Sequence, residues 1–477
     1  MNRREADLIV IGAGAVGENV ADRAVQGGLE TVIVEAELVG GECSYWACMP
    51  SKALLRSAQV LGAAQAVAGA AKAVTGQIDI PAVLARRDDF TSHWQDEGQV
   101  RWLEETGISL IRGRGQITGT REVTVTAADG SITVLTARHA VAVATGSTTS
   151  LPEIPGIADV TPWTTRDATS TKSIPASLAV IGGGVVATEM ATAFAALGSI
   201  VTIIARTGLL TKLEPFAREQ VTKALEHRGV RVLCDTTALG MRRDANGVHI
   251  ETTQGSVSAE QVLLATGRTA ATTDLGLESI GLEPGEWLKT DDSLRVKGHD
   301  WLYAVGDVNG RALLTHQGKY QARAAGDVIA ARATGKPVSD AQWGTHVASA
   351  DHVAVPHVIF SDPEIATVGL TAAHAREDGR DVRVVDYDLG QVAGASLQRD
   401  GYKGSARIVV DERRHTIIGA TFVGPDVAEL LQAATMAIVA DIPIDRLWHV
   451  VPAYPTVSEI WLRLLETYGR PGAGASG

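Results

Sequence analysis

Short runs of apolar residues, most of them stopped by glycine or an acid, punctuate this chain. Residues 7–11, 31–34, 178–181 and 201–204 are such runs, and residues 140–144 end in the same way. A short continuous apolar run fits a strand buried on both faces, as in a parallel sheet. Between them, residues 18–27 and the long stretch 59–105 read as helical, the latter first Ala-rich and then charged. Residues 110–115 and 123–135 alternate like half-buried strands. Residues 151–156 form a proline-punctuated crossover, Leu151-Pro-Glu-Ile-Pro155-Gly156. Further on, strands at 406–410 and 416–423 precede a helix at 427–440. Residues 468–477 are rich in Gly, Pro and Ser and read as a flexible tail.

Two of the glycine turns carry a specific spacing. The first is Gly12-Ala-Gly14-Ala-Val-Gly17, between a strand and a helix, with Glu35 closing the next strand. Gly12 allows the tight turn, Gly14 lets the backbone approach a pyrophosphate, and Gly17 permits close helix–strand packing. Glu35 stands where an acid accepts from ribose hydroxyls. The second turn is Gly182-Gly-Gly184-Val-Val-Ala187, with alanine at the third position. Its second strand ends in Ala205-Arg206, where an NAD-preferring site carries an acid. Losing the acid removes repulsion against a 2′-phosphate, and Arg206 can pair with one. NADPH is therefore the expected nicotinamide nucleotide, with NADH the alternative. Two such turns make an internal duplication and an α/β fold with two dinucleotide-binding domains.

Composition narrows the class. The chain has 477 residues, 45% of them hydrophobic and 21% charged, which is enough apolar surface for several cores. The formal net charge of -12 and the absence of a basic block argue against nucleic-acid binding. No apolar run reaches the length of a membrane span, and residues 1–7 lead straight into a strand without a signal-peptide core. A cytoplasmic enzyme is expected. The chain's three cysteines do not make a disulfide framework.

Two of those cysteines lie together in Gly40-Gly-Glu-Cys43-Ser-Tyr-Trp-Ala-Cys48-Met-Pro50-Ser-Lys52. Pro50 is suited to a first helical turn, and residues 51–56 look helical. Cys48 then sits at a helix N-terminus, where the partial positive charge favours a thiolate. Two sulfurs on one short turn can close a small disulfide loop. Two unrelated buried cysteines would give the same letters. A four-sulfur metal site is impossible, because only Cys234 remains elsewhere.

This segment resembles the active-site stretch of the FAD-dependent pyridine nucleotide–disulfide oxidoreductases, the family of dihydrolipoamide dehydrogenase, glutathione reductase and mercuric reductase. The cysteine spacing, Pro50 and Lys52 match; Glu42 replaces a usual Thr, and Ser44-Tyr45-Trp46-Ala47 replace Leu-Asn-Val-Gly. The resemblance runs over nearly the whole chain. It implies an FAD-binding domain of residues 1–150 and 272–345, an NAD(P)H-binding domain of 151–271 and an α+β dimerisation domain of 346–467. The first glycine turn would hold FAD. So would Ala144-Thr145-Gly146, Gly306-Asp307 and Thr315-His316, where a helix through residue 323 would point at the flavin. Ala265-Thr266-Gly267 repeats the Ala-Thr-Gly signal and closes the nicotinamide domain. By the same resemblance Cys48 faces the flavin, Cys43 faces the acceptor, and Lys52 pairs with Glu189 near the flavin.

One position departs from the family. Ala453-Tyr454-Pro-Thr-Val-Ser-Glu459 carries Tyr454 where the disulfide reductases have a histidine, supplied by the partner subunit of a homodimer and oriented by an acid matching Glu459. Histidine suits proton exchange near neutrality; tyrosine is a poor base there. Mercuric reductases carry Tyr in this region and a similar Ala-Arg strand end, but this sequence lacks their paired C-terminal cysteines. The small-molecule electron acceptor stays open at this point. A low-molecular-weight disulfide, a quinone or a metal ion all fit, and a dihydrolipoamide dehydrogenase component of a multienzyme complex is the lowest-ranked option.

Overall fold

The computed structural model describes residues 2–470. Residues 471–477 of the expected tail lie outside the described residues, and Tyr468 ends the last helix, Ile460–Tyr468. The described residues fall into two compact units. The first gathers the chain up to Pro50 with Arg86–Ser150 and Gly267–Asp351. The second gathers Ser51–Ala85, Leu151–Thr266 and the chain from His352 onward.

The first unit is built on a seven-stranded sheet. Ser109–Arg112, Thr31–Glu35, Asn2–Ile11 and Ile132–Val143 lie side by side in parallel, and Leu302–Ala304 adds to the last of them. Glu122–Thr126 and Arg114–Gly119 extend the sheet antiparallel. Thr31–Glu35, Leu302–Ala304 and the carboxyl-terminal parts of Asn2–Ile11 and Ile132–Val143 are buried on both faces, which is why those parts are written as apolar runs; Ser109–Arg112, at the edge, is half-exposed. On one face the helix Ala15–Gln26 shares a core with the helix Thr315–Ala333 through Val20, Ala21, Ala24, Ala322, Ala325 and Val328. That second helix runs ten residues beyond the expected 323 because its inner face stays apolar as far as Ala331.

The second unit holds three sheets. Arg231–Leu233, Ile200–Ile204, Ser177–Ile181 and Gln261–Leu264 form a parallel sheet packed by the helix Val185–Ala196. Ala238–Asp244, Gly247–Thr252 and Gly255–Ala259 form an antiparallel meander. His357–Ile359, Glu364–Gly369, Thr416–Gly424, Ser405–Asp411 and Val382–Asp388 make a five-stranded antiparallel sheet. The helix expected at 427–440 opens as a 3-10 turn, Val427–Leu430, and becomes α-helical over Leu431–Val439.

Three expected elements are interrupted. The stretch 110–115 is divided at Gly113, which has φ +146°, between the separate strands Ser109–Arg112 and Arg114–Gly119. The alternating stretch 123–135 is a hairpin, turned at Ala127–Ser131 with Gly130 in the left-handed region. The helical stretch 59–105 breaks into Cys48–Gln65, Ala68–Ala71, Ile80–Phe90 and Glu97–Glu105. Between the last two, Ser92, His93 and Trp94 all have φ near +50°. Three consecutive non-glycine residues in that region cost free energy. Tertiary contact holds them: Trp94 Nε1 donates to the Tyr45 carbonyl at 3.1 Å.

Candidate active site

In the first unit the parallel strands end level with one another. Ile11 pairs with both Val34 and Val143, and Val143 also pairs with Ala304. Gly12, Glu35, Ala144-Thr145-Gly146 and Gly306-Asp307 therefore follow at one edge of the sheet, the carboxyl edge where α/β sheets bind ligands. Gly12 has φ +100°, and a Cβ there would lie 2.6 Å from the Ala144 carbonyl oxygen. A Cβ at Gly17 would lie 1.9 Å from the Gly12 carbonyl oxygen. Both turns demand glycine for steric reasons alone.

This edge fits a dinucleotide. Gly14 caps the helix Ala15–Gln26 with no side-chain hydrogen bond, so the helix start is left to a ligand oxygen. Thr145 Oγ1 is buried without a hydrogen-bond partner among the described residues. Glu35 is held by two backbone donors, Ala13 N–H and Glu37 N–H, each at 2.7 Å. Burial raises its pKa, and those donors oppose the rise. Asp307 accepts from Ser147 Oγ at 2.6 Å, and Arg268 donates to Ser147 through Nε and to the Ser147 carbonyl. Burial raises the Asp307 pKa, with Ser147 and Arg268 pulling it down. Gly306 N–H donates to Gln321 Oε1, which ties this turn to the helix Thr315–Ala333.

The cysteine pair belongs to the same unit. Cys43 lies on the short helix Gly41–Tyr45, and Cys48 opens the helix Cys48–Gln65. The helix thus starts two residues before Pro50, which occupies its first turn. Both cysteines are thiols here. Cys48 Sγ is 3.3 Å from Thr315 Oγ1. The Cys43 thiol hydrogen-bonds to Cys48, and that bond together with burial pushes its pKa far above the ordinary thiol range. Thr315 and the Lys319 ammonium act in the opposite direction. His316 is exposed on the first turn of its helix. Gly267 lies in this unit too, with φ +125° and open space where a Cβ would stand.

The second unit carries the other expected residues. Gly182 has φ +135°, and a Cβ there would lie 2.1 Å from the Ala265 carbonyl oxygen. Gly184 caps the helix Val185–Ala196 without a side-chain bond, and Ala187 is fully buried beneath it. Lys52 Nζ is 2.7 Å from Glu189 Oε2. Glu189 is buried, and its Oε1 accepts from Phe360 N–H at 3.0 Å; Lys52 also lies over the Phe360 ring. Arg206 is exposed and makes no hydrogen bond or ion pair among the described residues.

Tyr454 and Glu459 are not brought together within the chain. Tyr454 is 76% exposed, and Glu459 is buried. Glu459 Oε1 is taken by Arg463, one helical turn on, and Oε2 is buried with no partner among the described residues. The i,i+4 spacing of Glu459 and Arg463 is a readable signal of that pair that the motif alone does not convey. Sequence reasoning also missed Ser147 and Arg268, which hold Asp307, and Lys319 beside the thiols; these contacts join residues far apart in the chain.

Comparison with known proteins defines the class. Residues 6–327 match the Pyridine nucleotide-disulphide oxidoreductase family, and residues 355–464 match its dimerisation domain. A mercuric reductase of Acidithiobacillus ferrooxidans is 32% identical, over 98% of this chain and 83% of the relative. A dihydrolipoyl dehydrogenase of Rhizobium etli is 29% identical, over 97% of this chain and 98% of the relative. Among solved structures, the Cu(II) complex of the HOCl-induced flavoprotein disulfide reductase RclA from Escherichia coli superposes with a TM-score of 0.84 at 22% identity, covering 97% of this chain and 99% of that one. LpdA from Mycobacterium tuberculosis superposes at 0.82 with 24% identity, covering 98% and 99%.

The chain belongs to the pyridine nucleotide–disulphide oxidoreductase family and is an FAD-dependent oxidoreductase that uses NAD(P)H. It carries the family's dimerisation domain. Among the described residues no helix is long and apolar enough to cross a membrane.

Proposed function

We propose that this enzyme takes electrons from NADPH and passes them through the Cys43–Cys48 pair to a small acceptor that needs electrons more than it needs disulfide exchange. The hydrogen-bonded thiol pair beside Thr315 is the observation that carries the reading. FAD, when bound, supplies the two-electron relay between nicotinamide and sulfur. The chain's own groups do the rest. The open helix starts at Gly14 and Gly184 receive phosphate oxygens. Glu35 and Asp307 accept from the sugar and ribityl hydroxyls of FAD. Lys52, fixed by Glu189, sets a positive charge one helical turn after Cys48. The enzyme works as a homodimer in which each subunit's Tyr454 region completes the other's site.

Two observations favour a quinone or a soft metal ion over a disulfide. Position 454 carries a phenol where disulfide exchange calls for an imidazole, and Glu459 is engaged by Arg463. Low-molecular-weight disulfide reduction is the second reading, supported by the intact dithiol itself. The test is turnover of a panel of disulfides, quinones and metal salts, anaerobically, at saturating NADPH. Quinones or metal ions should lead. A disulfide turning over fastest would overturn the order.

Arg206 supplies the nicotinamide preference in this reading. A charge-assisted pair with a 2′-phosphate contributes roughly 1.5–3 kcal/mol, or about tenfold or more in affinity. Arg206→Glu should weaken NADPH by at least about that factor relative to NADH. An unchanged ratio of the two Michaelis constants would show Arg206 to be an ordinary surface residue.

A further inference from the structure

The helix Thr315–Ala333 begins at the dithiol, with Thr315 Oγ1 3.3 Å from Cys48 Sγ. One buried carboxylate holds the start of that helix. Asp351 lies on the 3-10 turn Ser349–His352, and its side chain is only 2% exposed. Gln317, on the first turn of the helix, donates to Asp351 Oδ1 at 2.7 Å. Gln321, one turn on, donates to Asp351 Oδ2 at 2.9 Å. Arg311, in the segment leading into the helix, brings its Nε to 2.8 Å from the same Oδ2. Gln317, Gln321 and Asn309 are buried as well.

The Gln321 amide cannot be turned round. Its Oε1 already accepts from Gly306 N–H at 2.9 Å and from Asn309 Nδ2 at 2.8 Å. Asn309 Oδ1 in turn accepts from Arg311 N–H. Three donors therefore converge on Asp351, and only a group that accepts without donating satisfies them all. An ionised carboxylate is such a group, and the Arg311 guanidinium supplies the charge that its burial requires. An amide at position 351 would turn its own N–H bonds toward a donor, leave buried groups unpaired and loosen the helix start.

We propose that Asp351 is a positioning residue, which locks the start of the helix Thr315–Ala333 so that the Thr315 hydroxyl donates to the Cys48 thiolate. The proposal rests on the reading of Cys48 as the thiolate of the redox pair. A hydrogen bond to the charged form lowers the pKa of a thiol. The effect of Asp351 passes through Gln317 and the first helical turn to Thr315. Of the charged groups about the sulfur pair, Lys319 lies on the same helix and Lys52 one turn beyond Cys48. Behind Asp351, Arg311 also reaches Asp292 at 2.9 Å, and that carboxylate is exposed.

The test is the pKa of Cys48 in the Cys43→Ser holoenzyme, followed from pH 5 to 10. It is read from the long-wavelength absorbance band and, separately, from the rate of Cys48 alkylation by iodoacetamide. Adding Asp351→Asn should raise the midpoint by about one pH unit, the scale of one hydrogen bond to a charged group. Loss of charge alone acts in the opposite sense, because removing a carboxylate favours a nearby thiolate and lowers the midpoint. Gln317→Met changes no charge and should also raise the midpoint; this variant decides the matter if Asp351→Asn does not fold. Asp292→Asn, which removes the exposed partner of Arg311, should leave the midpoint where it was. A lowered or unmoved midpoint in Asp351→Asn overturns the proposal. So does an unmoved midpoint in Gln317→Met, or a rise in Asp292→Asn equal to that of Asp351→Asn. A Cys43→Ser parent without any band would count against Cys48 as the sulfur beside the flavin, and the alkylation midpoints would still decide on Asp351.

Discussion

Cys43→Ser should show a long-wavelength absorbance band with no reductant present, and Cys48→Ser should show none under any condition. In the wild type the band should follow two-electron reduction. The expectation comes from the placement of the two sulfurs. Cys48 opens an 18-residue helix, where the partial positive charge of the helix start favours a thiolate. Its Sγ lies against Thr315, the first residue of the helix that the family resemblance aims at the flavin. Cys43 is a poor candidate for the charge-bearing sulfur, because its bond to Cys48 and its burial keep it protonated. Removing Cys43 leaves Cys48 unable to form the disulfide and free to ionise. Both variants should abolish NADPH-linked turnover through the dithiol. The check is an absorbance spectrum of each purified holoenzyme between pH 6 and 9, paired with a thiol titration. A band in Cys48→Ser, or its absence from Cys43→Ser across that range, would reverse the roles of the two sulfurs.

Tyr454→His should raise turnover of small disulfides by on the order of 10²-fold, the scale of a positioned general acid–base group, and leave quinone reduction unchanged. Disulfide exchange must protonate a leaving thiolate outside the protein, and an imidazole does this near its own pKa. Tyr454 is largely exposed, so the substitution disturbs no core. Glu459 would have to orient the new imidazole, and its Oε2 is free among the described residues while Oε1 is held by Arg463. Adding Arg463→Gln should therefore increase the gain further. Steady-state rates with a disulfide and a quinone, for wild type and both variants, measure this. Wild-type disulfide rates equal to those of Tyr454→His would sink it, since tyrosine would then already be doing the histidine's work.

Much of the nucleotide chemistry was legible because it is local. Gly12 and Gly182 adopt positive φ and touch backbone, so no other residue can stand there, and their spacing shows it. The inner parallel strands announced themselves as apolar runs because both their faces are buried where the runs lie. The interrupted stretch 59–105 was not legible in the same way. Ser92, His93 and Trp94 have side chains that disfavour the left-handed region, and the contact that holds Trp94 there comes from Tyr45. No local signal marks a turn that a distant residue imposes.

The sequence by itself determined the fold class, the two nucleotide turns, the cysteine pair and the absence of a histidine at 454, because each depends on residues adjacent in the chain or on the period of an element. Only the tertiary structure decided which charges meet. It joins Ser147 to Asp307 across a long separation, and it forms the Lys52–Glu189 pair that the family resemblance had already implied. It turns Arg463 onto Glu459 and leaves one Glu18 carboxyl oxygen buried without a hydrogen-bond partner among the described residues. The reason is physical. A side chain's identity is written at one position, but its burial, its partners and hence its proton affinity belong to every residue folded around it.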